Sequence, residues 1–127
     1  MTDQSSAAPK LAHMVFFLLA DNGAQFARDF MEACIKYLSP VAGHNGQYHF
    51  SVGLRDVDIA RDVSATDFDV AMHIIFDDQK SYDLYSKSEE HEDFITATAG
   101  MSPSRKVLDS FLYVCDPKMT ATEDTSP

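Results

Sequence analysis

The sequence predicts an α+β domain of β-α-β-β-α-β order, with four antiparallel strands and the helices on one face. Three observations carry that prediction. Two apolar runs, Leu11–Leu19 and Phe68–Phe76, are too short for membrane spans and suit strands covered on both faces. A stripe of apolar residues from Phe26 to Leu38 has helical spacing. Turn residues separate each patterned segment from the next.

Taken in order, Leu11–Leu19 is interrupted only by His13 and is rich in valine and phenylalanine. Asp21-Asn22-Gly23 supplies turn and capping residues. Phe26, Ala27, Phe30, Met31, Cys34, Tyr37 and Leu38 then form one face of a helix of about four turns. Ser39-Pro40 ends it, and Gly43-His44-Asn45-Gly46 is a loop. Gln47–Leu54 alternates as a strand, with Tyr48, Phe50 and Val52 on one face and His49 and Ser51 on the other. Residues 55–67 carry four aspartates and two arginines and read as an exposed connector, partly helical. After the Phe68–Phe76 strand, Asp77 or Asp78 caps a short helix holding Tyr82, Leu84 and Tyr85. Ser88-Glu89-Glu90 marks a fresh helix start, with a capping hydroxyl and first-turn acids, running to about Thr98. Gly100 and Pro103 stop it, and Lys106–Cys115 is the last strand.

This order is the split βαβ arrangement of ferredoxin-like domains. Helices on one face leave the other bare, yet the first and third strands are apolar in both directions. A second copy of the sheet is the simplest cover, so a face-to-face homodimer through the sheet face is expected. The domain is placed at residues 11–116, between polar tails at 1–10 and 117–127 that are expected to be mobile.

The chain has 127 residues, a size suited to one domain with one core. A formal net charge of −10 argues against nucleic acid and anionic membrane as partners. No apolar run approaches the roughly 20 residues of a membrane span. The N-terminal decapeptide lacks the order of a secretory signal, so a cytoplasmic location is expected. Two cysteines, Cys34 and Cys115, are too few for a disulfide scaffold, and Cys34 falls on the apolar helix face. The five histidines lack metal-ligand spacing, and no phosphate-binding glycine loop occurs. Neither a metal nor another cofactor is expected.

The motifs His13-Met14-Val15, Phe50-Ser51-Val52-Gly53, Phe68-Asp69-Val70-Ala71, Phe76-Asp77-Asp78 and Tyr85 followed by His91 occur in that order. Together they resemble the stress-responsive dimeric α/β-barrel (Dabb) family over residues 11–116. The resemblance implies a ferredoxin-like protomer, a barrel-forming dimer and, for many members, no assigned activity. It leaves a stress-linked or small-ligand-binding protein as one expectation. A plant polyketide cyclase of the family implies the other, a cofactor-free lyase acting on a small carbonyl compound. By that resemblance Tyr85, His91 and His13 are the candidate catalytic residues. Where the family often has His-Pro-Ala-His, this chain has Ser88-Glu89-Glu90-His91. Haem-degrading relatives of this barrel often use a tryptophan, and this chain has none.

On an unbroken helix, residues six apart lie about 240° round the axis and share no face. Tyr85 and His91 cooperate only if the chain bends at Ser88. His91 then lies in a first turn, where backbone N–H groups favour neutral imidazole, while Glu89 and Glu90 favour the cation. A neutral His91 suits a general base beside a carbonyl, with the Tyr85 hydroxyl donating to the developing oxyanion. The alternative is that Tyr85 packs in the core and His91 caps or solvates a helix start. The expected site for a small apolar ligand lies between helices and sheet. Val15, Phe17, Phe26, Phe30, Tyr37, Tyr48, Met72 and Ile74 are the candidates to line it or simply fill it.

Overall fold

A computed structural model describes residues 9–113. It runs β1 (Lys10–Leu18), α1 (Ala24–Leu38), a 3-10 turn (Pro40–Ala42), β2 (Gln47–Leu54), β3 (Val70–Phe76), α2 (Gln79–Ser86), α3 (Glu89–Ala97) and β4 (Ser104–Leu112). The strands pair antiparallel in the spatial order β2-β3-β1-β4, the ferredoxin-like arrangement. Among the described residues no helix is long and apolar enough to cross a membrane.

The register explains how an all-apolar strand is used. Leu11, His13, Val15 and Phe17 of β1 stand opposite Phe76, Ile74, Met72 and Val70 of β3. These alternate positions are buried and form the core beneath the helices. From α1 come Ala27, Phe30, Cys34 and Leu38, four of the seven predicted stripe residues, all buried, with Phe26, Met31 and Tyr37 partly buried beside them. Phe30 meets Phe17 edge-on at 4.7 Å between ring centroids and Phe94 of α3 at 5.9 Å. Burial pushes the Cys34 thiol up to about 12, which leaves it protonated and inert.

The intervening positions face the other way. Ala12, Met14 and Phe16 of β1 stand opposite Ile75, His73 and Ala71 of β3. On the β4 side, Ala12, Met14 and Phe16 are opposite Ser110, Leu108 and Lys106. No helix of the described residues covers this face, and Leu108 is 54% exposed.

Helix ends follow the capping chemistry. Asp78, not Asp77, caps α2, accepting from the Ser81 N–H at 2.9 Å. Ser88 caps α3 in the same way. Gly23 begins α1 without a side-chain cap, and Asp21 accepts from its N–H instead. Gly46 has φ +83, and a Cβ there would collide with the Ser81 hydroxyl. Its carbonyl accepts from the Asp77 N–H at 2.8 Å, drawing the loop that holds His44 against the start of α2.

Several expectations need correction. The connector after β2 forms turns around Asp56–Asp58 and Arg61–Ser64, with no helix, because its charges leave no apolar stripe to bury. Strict alternation in β2 fails at a bulge between Gln47 and His49. The extra residue turns Tyr48 outward, 56% exposed, with the Lys10 ammonium 4.6 Å from its ring centre. Leu84 likewise lies outside the core at 64% exposure. Lys10 belongs to β1 rather than to a tail, pairing with Leu112 and reaching Asp77 at 3.7 Å. The last strand starts two residues earlier than expected, at Ser104. Cys115, the C-terminal tail and the first eight residues lie outside the described residues.

Candidate functional site

The site grows from the break between α2 and α3. The Ser88 hydroxyl donates to the Tyr85 carbonyl at 2.8 Å and accepts from the His91 N–H at 3.1 Å. One side chain therefore closes the first helix and opens the second, which brings the two rings to the same side. Their centroids lie 5.2 Å apart and nearly perpendicular.

Tyr85 is buried, 2% exposed, and two more histidines pack on its ring. His44 lies 5.1 Å away and His13 5.9 Å away, between ring centroids. Each of these two is tied down. His44 Nε2 bonds the Tyr37 carbonyl at 2.8 Å, and His13 Nδ1 bonds the Asp109 carboxylate at 2.6 Å. An acceptor at each of these atoms fixes which ring nitrogen carries hydrogen. Among the described residues, neither the His91 ring nor the Tyr85 hydroxyl has a hydrogen-bond partner.

Burial pushes the Tyr85 hydroxyl well above the usual phenol range, so it stays a donor. Half-buried His91 is held below its ordinary 6.5, first by burial. Glu92 opposes that shift, while His13, His44 and Arg105 add to it. The acid that matters is thus Glu92, not the Glu89 and Glu90 expected from the sequence. Desolvation wins, and His91 is neutral at pH 7.

Both residues border a cavity of about 290 Å³ between α3 and the sheet. That is close to the lower bound of small-molecule sites, roughly 300 Å³. Its floor is Val15, Phe17 and Met72, and Phe30 and Leu38 of α1 close one side. Phe94, Ile95 and the turn Thr98–Gly100 form the wall, with Ser102, Arg105 and Val107 at the β4 rim. Ile95 and Val107 are each 49% exposed, which marks the mouth.

Of the residues expected to line a pocket, Val15, Phe17, Phe30 and Met72 do so. Phe26 and Tyr37 pack against the core on other parts of α1, away from this cavity. Ile74 is fully buried beside His13 in the β1–β3 ladder, too deep to reach it. Tyr48 is outside altogether, for the bulge already described. His13 does not border the cavity either, since β4 sets Asp109 directly opposite and captures its ring behind Tyr85. Apart from His91, the lining residues of α3 and β4 were not legible as a site. Phe94, Arg105 and Val107 sit in segments whose only sequence signal is helix or strand pattern. His44 carried one usable sign, its place in a glycine-bounded loop.

A family description, the stress responsive A/B barrel domain (Dabb), matches residues 11–112. The chain belongs to the Dabb family. Solved structures share its fold. A Dabb family protein from Mesorhizobium loti is 22% identical over 85% of this chain and 98% of that one, with a TM-score of 0.65. A dimeric ferredoxin-like protein of unknown function from Thermobifida fusca is 17% identical over 83% and 92%, with a TM-score of 0.65. A hydroxynitrile lyase from Passiflora edulis is 15% identical over 86% and 98%, again with a TM-score of 0.65. Comparison with curated proteins gives no match. At these identities the solved structures speak for the Dabb fold alone. Among the described residues no group of histidine, cysteine or carboxylate side chains is arranged to hold a metal ion.

Proposed function

We propose that this Dabb protein binds a small, mainly apolar, carbonyl-bearing molecule in the cavity beside Tyr85 and His91. The observation that carries the proposal is that Tyr85 and His91, whose rings lie 5.2 Å apart, both line one mainly apolar cavity of about 290 Å³. The apolar floor supplies affinity, and the Tyr85 hydroxyl supplies one directed hydrogen bond to the carbonyl oxygen. Calorimetric titration with 2-octanone tests it. A neutral hydrogen bond contributes about 0.5–1.5 kcal/mol, so Tyr85→Phe is expected to weaken binding about three- to tenfold. Equal affinity in the two proteins would remove the tyrosine from the site.

A lyase reading is favoured by one further feature, the neutral His91. An uncharged imidazole beside a hydroxyl donor can take a proton from carbon next to the carbonyl. A hydroxynitrile lyase is among the solved structures that share the fold.

The same proposal includes a homodimer through the open sheet face, in a cytoplasmic protein. The support is the run of Met14, Phe16 and Ile75 on a face without helices, and the dimeric description of the Thermobifida protein. Phe16 packs edge-on against Phe68 at 5.2 Å, within this exposed layer. Phe16→Asp is expected to halve the mass measured by light scattering while the far-ultraviolet circular dichroism stays native. A monomeric mass for the unaltered protein would remove the dimer.

A further inference from the structure

The lining of the cavity is uneven in charge. The chain as a whole carries twice as many acids as bases, 20 against 10. Yet among the described residues the cavity is bordered by one cation, Arg105, and by no carboxylate. Register explains its position. Arg105 of β4 stands opposite Phe17, so its side chain projects on the helix face, at the rim beside α3.

Nothing else in the described structure uses that charge. The described ion pairs are Lys10–Asp77, His13–Asp109 and Lys106–Asp67, and Arg105 takes part in none. Cations often serve the carbonyl end of a helix, and α3 ends nearby. Here two of those carbonyls already have partners. The Thr98 N–H and hydroxyl both donate to the Phe94 carbonyl, and the Ala99 N–H donates to that of Thr96. Arg105 makes no hydrogen bond to them.

The other polar groups at the rim are also committed. The Thr98 hydroxyl spends its proton within the helix, and Ser102 donates to the Leu18 and Ser104 carbonyls. Among the described residues the guanidinium is therefore the one strong side-chain donor left at the β4 rim of a cavity that Tyr85 and His91 also line. We infer that the ligand is a small apolar carboxylic acid, its chain in the cavity and its carboxylate on Arg105. This inference rests on the cavity being a ligand site, and it adds the acid group.

A planar guanidinium matches a carboxylate with two parallel hydrogen bonds. At an exposed rim the gain is modest and falls with salt. Octanoate and 1-octanol share a chain and differ in the charged end, so they make the test, titrated calorimetrically into the full chain. Octanoate is expected to bind about fivefold more tightly than 1-octanol at low salt. Arg105→Gln is expected to erase that preference. Equal binding of the two probes by the unaltered protein overturns the inference and leaves the cavity reading standing. So does a preference for octanoate that survives Arg105→Gln. Failure of both probes to bind overturns the cavity reading together with the inference.

Discussion

Replacing Phe30 by alanine is expected to destabilise the domain by about 3 kcal/mol, the low end of the range for buried phenylalanine. The residue is 1% exposed and touches Phe17 and Phe94, so it joins the sheet to both long helical segments. Truncation loses the transfer energy of a whole ring and leaves a void that the rigid strand beneath cannot fill. One side of Phe30 already borders open volume, however, and contacts absent there cannot be lost. That is why the low end is expected. For a domain of this size the midpoint of thermal unfolding drops by roughly 12–20 °C. A calorimetric scan at fixed protein concentration reads it, and Ile95→Ala at the mouth serves as a control with a much smaller change. A drop for Phe30→Ala no larger than the control would mean that α1 is not docked as described.

The second large effect concerns His91. If the lyase reading holds, the protein accelerates exchange of the α-hydrogens of 2-octanone with deuterated water. The α C–H bond breaks, its proton passes to the neutral imidazole, and the electron pair moves to an enolate oxygen held by Tyr85. Return of a deuteron from the exchanged imidazole completes the cycle without any cofactor. A positioned general base contributes about 10²- to 10⁴-fold, so His91→Ala is expected to lower the rate by at least about 10²-fold. The sign of the pH dependence follows from the shift. The imidazole value lies below 6.5 because burial disfavours the cation. The active neutral form accumulates as pH rises through that lowered value, so the rate rises there and is flat above it. Proton NMR of the ketone reads the exchange. A rate equal to that in buffer, or an unchanged rate in His91→Ala, removes the base and leaves a binding protein.

Most of the fold was legible because each element carried its own local signal. The α1 stripe, the Asp78 and Ser88 caps and the two apolar strands all state their conformation within a few residues. What local pattern does not encode is an inserted residue. The bulge at Tyr48 breaks a period-two strand without any glycine or proline to announce it. The connector misled for a different reason. Its aspartates and arginines suit a helix surface as well as a turn, and only the absence of a buried face decides.

The site was half legible. Tyr85 and His91 carry a family spacing, and Ser88 announces the bend that makes the spacing meaningful. The third residue of that pattern, His13, is near but turned to Asp109, a partner 96 residues away that only sheet register reveals. Arg105 and Val107 belong to the same class. Their neighbours come from β1 and α3, and nothing within β4 itself marks them. Nor could charge composition place the cavity's one cation, since a total of −10 says nothing of where the few arginines stand.

The most direct test of the central proposal is an NMR titration that follows the His91 ring signal as 2-octanone is added. A saturable shift is predicted for the unaltered protein and its loss for Val107→Trp, whose larger ring closes the mouth. No shift at saturating ketone, or the same shift with the mouth closed, would contradict a ligand site beside Tyr85 and His91.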